Sequence, residues 1–244
     1  MLWAAQAVLI IAIMASELGK AVSKETRVDI LVTPLVTIFS GVGLSMLIAA
    51  PIGAAASQVG TLIMWATEQA PLVMGILVSV IVGVALTLPI SSAAICAALG
   101  LTGLAGGAAV AGCCAQMIGF AVMSYKENGV GGLVSQGIGT SMLQMPNILK
   151  KPRVWLPPII ASAITGPLAT CVFHFEMNGA AVSSGMGTCG LVGQIGVYTG
   201  WVSDIAAGTK AAITPMDWAA MILLCFVLPA VLSVLFCEAE RKLG

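Results

Sequence analysis

The chain has 244 residues, 59% of them hydrophobic and only 8% charged, with a mean hydropathy of +1.06 and a formal net charge of zero. A soluble domain carries about 25% charged residues, so this composition excludes a water-soluble fold, and the charge balance argues against a nucleic-acid partner. Lipid tolerates only helices or closed barrels, and long apolar runs in place of short alternating segments predict an all-α fold, a polytopic transmembrane helical bundle.

The first predicted helix is Leu2–Ser16; it lacks a basic leading region and an A-x-A cleavage site, so it reads as a helix and not a signal peptide. A polar loop is expected over Glu17–Asp29, with Lys20, Lys24 and Arg27. The second helix runs from Ile30 to Ala55, and a short amphipathic stretch, Gly60–Gln69, is expected along the interface. The third runs from Pro71 to Ile90 and shares a frame with the second: each contains Pro-Leu-Val (34–36 and 71–73) and closes on Pro-Ile (51–52 and 89–90). Ser91–Gly103 is too short to cross and is expected to dip in and return. The fourth helix, Leu104–Tyr125, carries small residues spaced four apart, Gly103 with Gly107 and Ala108 with Gly112, a spacing that lets backbones approach.

From Lys126 to Leu149 the chain is apolar but broken by Gly129, Gly131, Gly132, Gly137, Gly139 and Pro146. A glycine inside a helix costs roughly 1 kcal/mol against alanine, so no plain span is expected there. The fifth helix is Val154–Phe173, a second broken stretch covers Asn178–Trp201, and the sixth helix is Met216–Cys237. Residues 1–244 thus read as a single integral membrane domain of about six spans, with broken segments near 91–103, 126–149 and 178–201. Placing the 17–29 loop, the 150–153 cluster and the C-terminus in the cytoplasm puts Lys20, Lys24, Arg27, Lys150, Lys151, Arg153, Arg241 and Lys242 inside. Lys126 and Lys210 then lie outside, and the segment between Lys126 and Lys150 is expected to cross. The seven cysteines form no C-x-x-C and read as small packing residues. One histidine and no ligand cluster leave no metal site, and no cofactor is implied.

The two broken segments are related. Asn128-Gly129 matches Asn178-Gly179, and Gly137-Ile-Gly-Thr-Ser-Met-Leu143 matches Gly185-Met-Gly-Thr-Cys-Gly-Leu191. Each follows a helix ending in an aromatic and a glutamate, Tyr125 with Glu127 and Phe175 with Glu176. Matched Gly-interrupted segments in a membrane protein point to a solute site, because unwound backbone survives there only against protein or a wet cavity. The candidate solute-binding residues are therefore Asn128, Gln136, Thr140, Ser141, Asn147, Asn178, Thr188 and Gln194, with Gln144 beside them. His174 and Glu176 join them: ionisable groups are costly in a membrane, and an imidazole and a carboxylate can both engage a hydroxyl. No residue set forms an autonomous catalytic constellation.

Several runs carry a family resemblance: Leu88-Pro-Ile-Ser-Ser-Ala-Ala-Ile95, Gly112-Cys-Cys-Ala-Gln-Met-Ile-Gly-Phe-Ala121, Gly137-Ile-Gly-Thr-Ser-Met-Leu-Gln-Met-Pro-Asn147, Gly166-Pro-Leu-Ala-Thr170 and Gly185-Met-Gly-Thr-Cys-Gly-Leu-Val-Gly193. Together they resemble the type-2 membrane subunit IIC of the bacterial phosphoenolpyruvate-dependent sugar phosphotransferase system, a family that includes the membrane regulator named for perfringolysin. The resemblance spans about residues 30–200. It implies a multi-pass homodimer in the bacterial inner membrane with a cytoplasmic C-terminus, re-entrant segments around a sugar, and a separate cytoplasmic IIB partner. It also implies a histidine and a glutamate at the sugar, for which this chain offers His174 and Glu176. The chain holds no IIA or IIB domain and is short beside full sugar-translocating subunits, so any phosphoryl chemistry belongs to the partner. Two other readings stand beside the carrier: a sensor or regulator that keeps the carrier fold, and a channel or carrier independent of phosphorylation.

Overall fold

Backbone N–H and C=O groups shut away from water must be satisfied within the chain, and here helix does so. The computed structural model describes residues 4–23 and 29–243; the protein is 85% helical, with no strand among the described residues. It divides into two compact units, Met1–Gly60 and Thr61–Gly244.

In the first unit, α1 (Ala4–Val22) packs antiparallel to the first part of α2 (Asp29–Gln69). Small residues set the approach, with Gly19 against the Thr37 hydroxyl and Ala15 against Gly41. The polar loop expected from Glu17 is helical as far as Val22, with Lys20 3.8 Å from Glu17 one turn back. Lys24 and Arg27 lie outside the described residues. The stretch expected to lie separately along the interface, Gly60–Gln69, is the last part of α2. Nothing from Ala55 to Gly60 breaks a helix, and Pro71 disfavours helical backbone at the residue before it.

In the second unit, α3 (Pro71–Thr87) starts with Pro71 in the first turn, where its missing N–H costs nothing. The short α4 (Ser92–Leu99) is capped by Ser91, whose Oγ accepts from Ala94 N at 3.2 Å, and it stops at left-handed Gly100. Then come α5 (Gly103–Met123), α6 (Tyr125–Val134), α7 (Met145–Lys150), α8 (Leu156–Pro167), α9 (Val192–Ala206), α10 (Pro215–Ile222) and α11 (Leu228–Leu243). Among the described residues, three continuous helical runs are long and apolar enough to cross a membrane: Gly103–Met123, Pro152–Val172 and Pro215–Lys242.

The centre is a three-helix crossing built on small residues. Gly112 of α5 lies against the Ser79 backbone of α3, and Gly166 of α8 against Gly75 and Ser79. Ser79 Oγ donates to Ser162 O at 2.8 Å, and Ser162 Oγ donates to Pro158 O of its own helix at 2.8 Å while accepting from Gln116 Nε2 of α5 at 3.3 Å. Each bond contributes about 1 kcal/mol where its groups are dry.

The order of these contacts sets direction. Ser79 meets Gly112 and Thr87 meets Gln116, so α3 and α5 run parallel; Ser79 meets Ser162 and Pro71 meets Thr170, so α8 runs against them. Helix α11 runs with α5, since Ser233 lies at Gly119 while Glu238 reaches Lys126. This corrects the expected crossing between Lys126 and Lys150. Lys126 Nζ is 3.1 Å from Glu238 and Arg241 is 3.1 Å from Glu127, so Lys126 shares an end of the unit with the C-terminal helix. The next helix starts at the same end, with Pro158 beside Gly119. The segment from Tyr125 to Arg153 therefore goes in and comes back.

Candidate functional site

Both broken segments are hairpins, and they enter from opposite ends. The first descends through α6, interrupted at left-handed Gly129, and a wide turn at Ser135–Gly139. It returns through a tight turn at Ser141–Gln144 and α7. The second starts where Met177 pairs with Gly103 in an isolated bridge at the other end. It descends through tight turns at Ala181–Gly185 and Cys189–Leu191 and returns as α9. Their tips meet: the buried Thr188 hydroxyl of the second donates to the Gly137 carbonyl of the first at 2.5 Å. The repeated Gly-x-Gly-Thr thus forms a crossing of two oppositely directed hairpins, the arrangement of an inverted repeat.

The first hairpin is lined by polar side chains that satisfy one another. Asn147 Nδ2 donates to Gln144 Oε1 at 2.8 Å, Gln144 Nε2 to Gln136 Oε1 at 2.8 Å, and Gln136 Nε2 to Ser124 Oγ at 3.0 Å. Ser141 is 2.9 Å from Thr87, which joins Gln116; Gln116 Oε1 also accepts from Trp155 Nε1 at 2.9 Å. Thr140 accepts from Met142 N at 3.2 Å. Asn147 is exposed beyond Gln144, and Asn128 is exposed at the hairpin's base. In the second hairpin Gln194, only 8% exposed, donates to Cys114 Sγ at 3.2 Å, while its Oε1 has no partner among the described residues.

A cavity of about 480 Å³ opens at the end opposite Lys126, between the start of the second hairpin, the end of α9 and the start of α10. It unites three candidates from the sequence, His174, Glu176 and Asn178, with residues that sequence reasoning did not choose: Trp201, Asp204, Lys210 and Asp217. Asn178 Nδ2 donates to Glu176 Oε2 at 3.1 Å and to Asp204 Oδ2 at 2.9 Å, so one amide holds two carboxylates side by side. Their other oxygens take no hydrogen bond from the described residues.

Lys210 and Asp217 form a closed set. Lys210 Nζ is 2.7 Å from Asp217 Oδ1 and lies 5.3 Å over the Trp201 ring. Asp217 Oδ2 accepts from Thr214 N at 2.7 Å in a capping box that starts α10. That box was legible as Thr214-x-x-Asp217 ahead of an apolar run; the lysine's reach to it was not. Trp201 is fixed in turn by an edge-on contact with Trp218 at 5.7 Å between centroids.

His174 sits at φ +44, a left-handed conformation with a non-glycine residue, which costs of order 1 kcal/mol and collects at functional sites. It permits the sharp bend that brings Phe175 under the cavity and Glu176 onto its rim. Beneath, Phe175 and Trp201 belong to a packed layer with Val110, Ala111, Cys114 and Met177. Among the described residues, no three His, Cys, Asp or Glu side chains group to hold a metal.

The sequence model of the family described as "Phosphotransferase system, EIIC" matches residues 6–244, nearly the whole chain. No curated protein and no solved structure gives a match.

Proposed function

We propose, from the premise that the chain belongs to the EIIC family of the phosphotransferase system and is a membrane transport component of it, that it takes up a sugar through the cavity around Asn178. The carrying observation is the pair of carboxylates, Glu176 and Asp204, held together by one amide above aromatic rings. A sugar presents adjacent hydroxyl donors and apolar C–H faces. The free oxygens of the pair accept from the hydroxyls as charge-assisted bonds, and the half-buried Phe173 ring in the cavity wall meets the apolar face. A cavity of this volume is within the usual range for small-molecule sites. His174 supplies a second donor or acceptor at the rim.

Orientation follows from charge. Of the basic residues in the second unit, Lys126, Lys150, Lys151, Arg153, Arg241 and Lys242 sit at or beyond the end shared with the C-terminus, and only Lys210 lies at the other. Basic residues favour the cytoplasm, so the C-terminus is cytoplasmic and the cavity faces outward across a bacterial inner membrane. Both hairpins are re-entrant, and their crossing is the barrier. Gln136, Thr140, Ser141, Thr188 and Gln194 lie at or beside the barrier, with Asn128 and Asn147 at its cytoplasmic side. A cytoplasmic IIB protein would meet the sugar at that side and phosphorylate it, while this chain positions the accepting hydroxyl. The protein acts as a homodimer.

A panel of labelled sugars against purified protein tests this. At least one sugar should bind, and Glu176→Gln with Asp204→Asn should weaken it by about tenfold or more. Unchanged binding in that double variant overturns the site. A sensor reading draws on the ion pairs Lys126–Glu238 and Glu127–Arg241, which tie the first hairpin to the C-terminal helix. It is favoured if proteoliposomes bind the sugar without moving it. Uptake without any phosphoryl donor would favour a phosphorylation-independent carrier.

A further inference from the structure

The two hairpin tips share the Gly-x-Gly-Thr motif and differ in shape. Gly187, before Thr188, is left-handed at φ +52, whereas Gly139, before Thr140, is not. Thr188 has φ −86 and ψ 3; Thr140 is extended at φ −160 and ψ 142. Their hydroxyls do different work. Thr188 donates across the crossing to Gly137 O, while Thr140 turns back and accepts from Met142 N in its own chain.

The counterpart of Gly137 in the second motif is Gly185. Its carbonyl accepts from Ser92 Oγ at 2.7 Å, and a carbonyl has a second lone pair. One motif in two conformations, facing itself in inverted orientation, is what a bistable element looks like when caught in one of its states.

We propose that Thr140 and Thr188 are an exchanging pair of positioning residues at the barrier. In the exchanged arrangement Thr140 donates across to Gly185 O, and Thr188 caps Gly190 N two residues on, as Thr140 now caps Met142 N. The arrangement described above leaves the cavity open at the end opposite the C-terminus. The exchanged one withdraws the second tip and opens the route at the basic end. The proposal rests on the reading that the hairpin crossing closes the solute's route.

Hydrogen–deuterium exchange of the full-length protein in lipid nanodiscs, without solute, tests it and leaves the sugar assignment untouched if it fails. Thr140 is half-buried and makes no hydrogen bond to the second hairpin. If the tips are static, Thr140→Val alters exchange only around residues 140–143. If the pair exchanges, Thr140→Val removes the bond that holds the competing state, and amides 185–191 slow by about fivefold, while Thr188→Val speeds them by about tenfold. Thr188→Ser, which keeps the hydroxyl, should match the wild type. A Thr140→Val effect confined to its own hairpin, or a shift of 185–191 in the same direction for both valine variants, overturns the proposal. Should Thr188→Val not fold, Thr140→Val alone decides between the two outcomes.

Discussion

The two glycine-broken hairpins share a motif and differ in what holds them. The first is fastened by side chains: Gln136, Gln144 and Asn147 bond one another, and Ser141 reaches the Thr87–Gln116 pair. The second is fastened by backbone fit. Gly187 lies on the Cys113 and Cys114 backbone, Gly193 on Gly187, and Gly200 on Asn178 and Gly179. Its polar side chains at the end opposite the C-terminus are thus left available to line a cavity. A broken hairpin can meet its hydrogen-bonding needs from within or by pressing against neighbours, and the second way leaves side chains free for a ligand.

The largest test of this contrast compares the middle glycines of the motif. A methyl at Gly187 would meet Cys113 Cβ at 2.7 Å and Cys114 N at 2.9 Å, at a positive φ. A methyl at Gly139 meets nothing within 4 Å. Gly187→Ala should destabilise the protein by about 3 kcal/mol and Gly139→Ala by well under about 1 kcal/mol, read as thermal unfolding in detergent. Equal losses would erase the distinction.

Next come the paired asparagines. Asn178→Ala frees two carboxylates to repel each other and should weaken sugar binding by about tenfold; Asn128→Ala, on an exposed residue that does not line this cavity, should leave binding unchanged. A smaller effect is expected at His174. His174→Gly relieves the left-handed backbone and should stabilise the fold by about 0.5–1 kcal/mol, while sugar affinity falls with the imidazole. A loss of stability would mean that the ring's contacts outweigh the strain. The smallest effect belongs to the pair at the first hairpin's base: Lys126→Ala should leave the melting temperature indistinguishable from wild type, since exposed ion pairs contribute little.

Much of the fold was legible along the chain. Apolar run length placed the spans Gly103–Met123, Pro152–Val172 and Pro215–Lys242 within a few residues of their predicted limits. The glycine spacing located both hairpins. The loop expected from Glu17 is instead helix to Val22, because Glu17, Leu18, Lys20 and Ala21 are strong helix formers. The first hairpin differs from expectation for another reason. Charge counting places Lys126 at the end away from the C-terminus, whereas its position depends on Glu238, more than a hundred residues away.

That this is a helical membrane protein, that it belongs to its family, and that two copies of one motif interrupt its apolar runs can all be read along the chain. Those properties rest on composition, local propensity and motif spacing, which are written in neighbouring residues. Only the tertiary structure decided that the copies enter from opposite ends and meet at Thr188 and Gly137, and that Asp204, Lys210 and Trp201 join Glu176 and Asn178 at one cavity. Direction and convergence arise from packing between distant helices, where the close approach of Ser79, Gly112 and Gly166 sets which side chains face each other, and no local pattern encodes that.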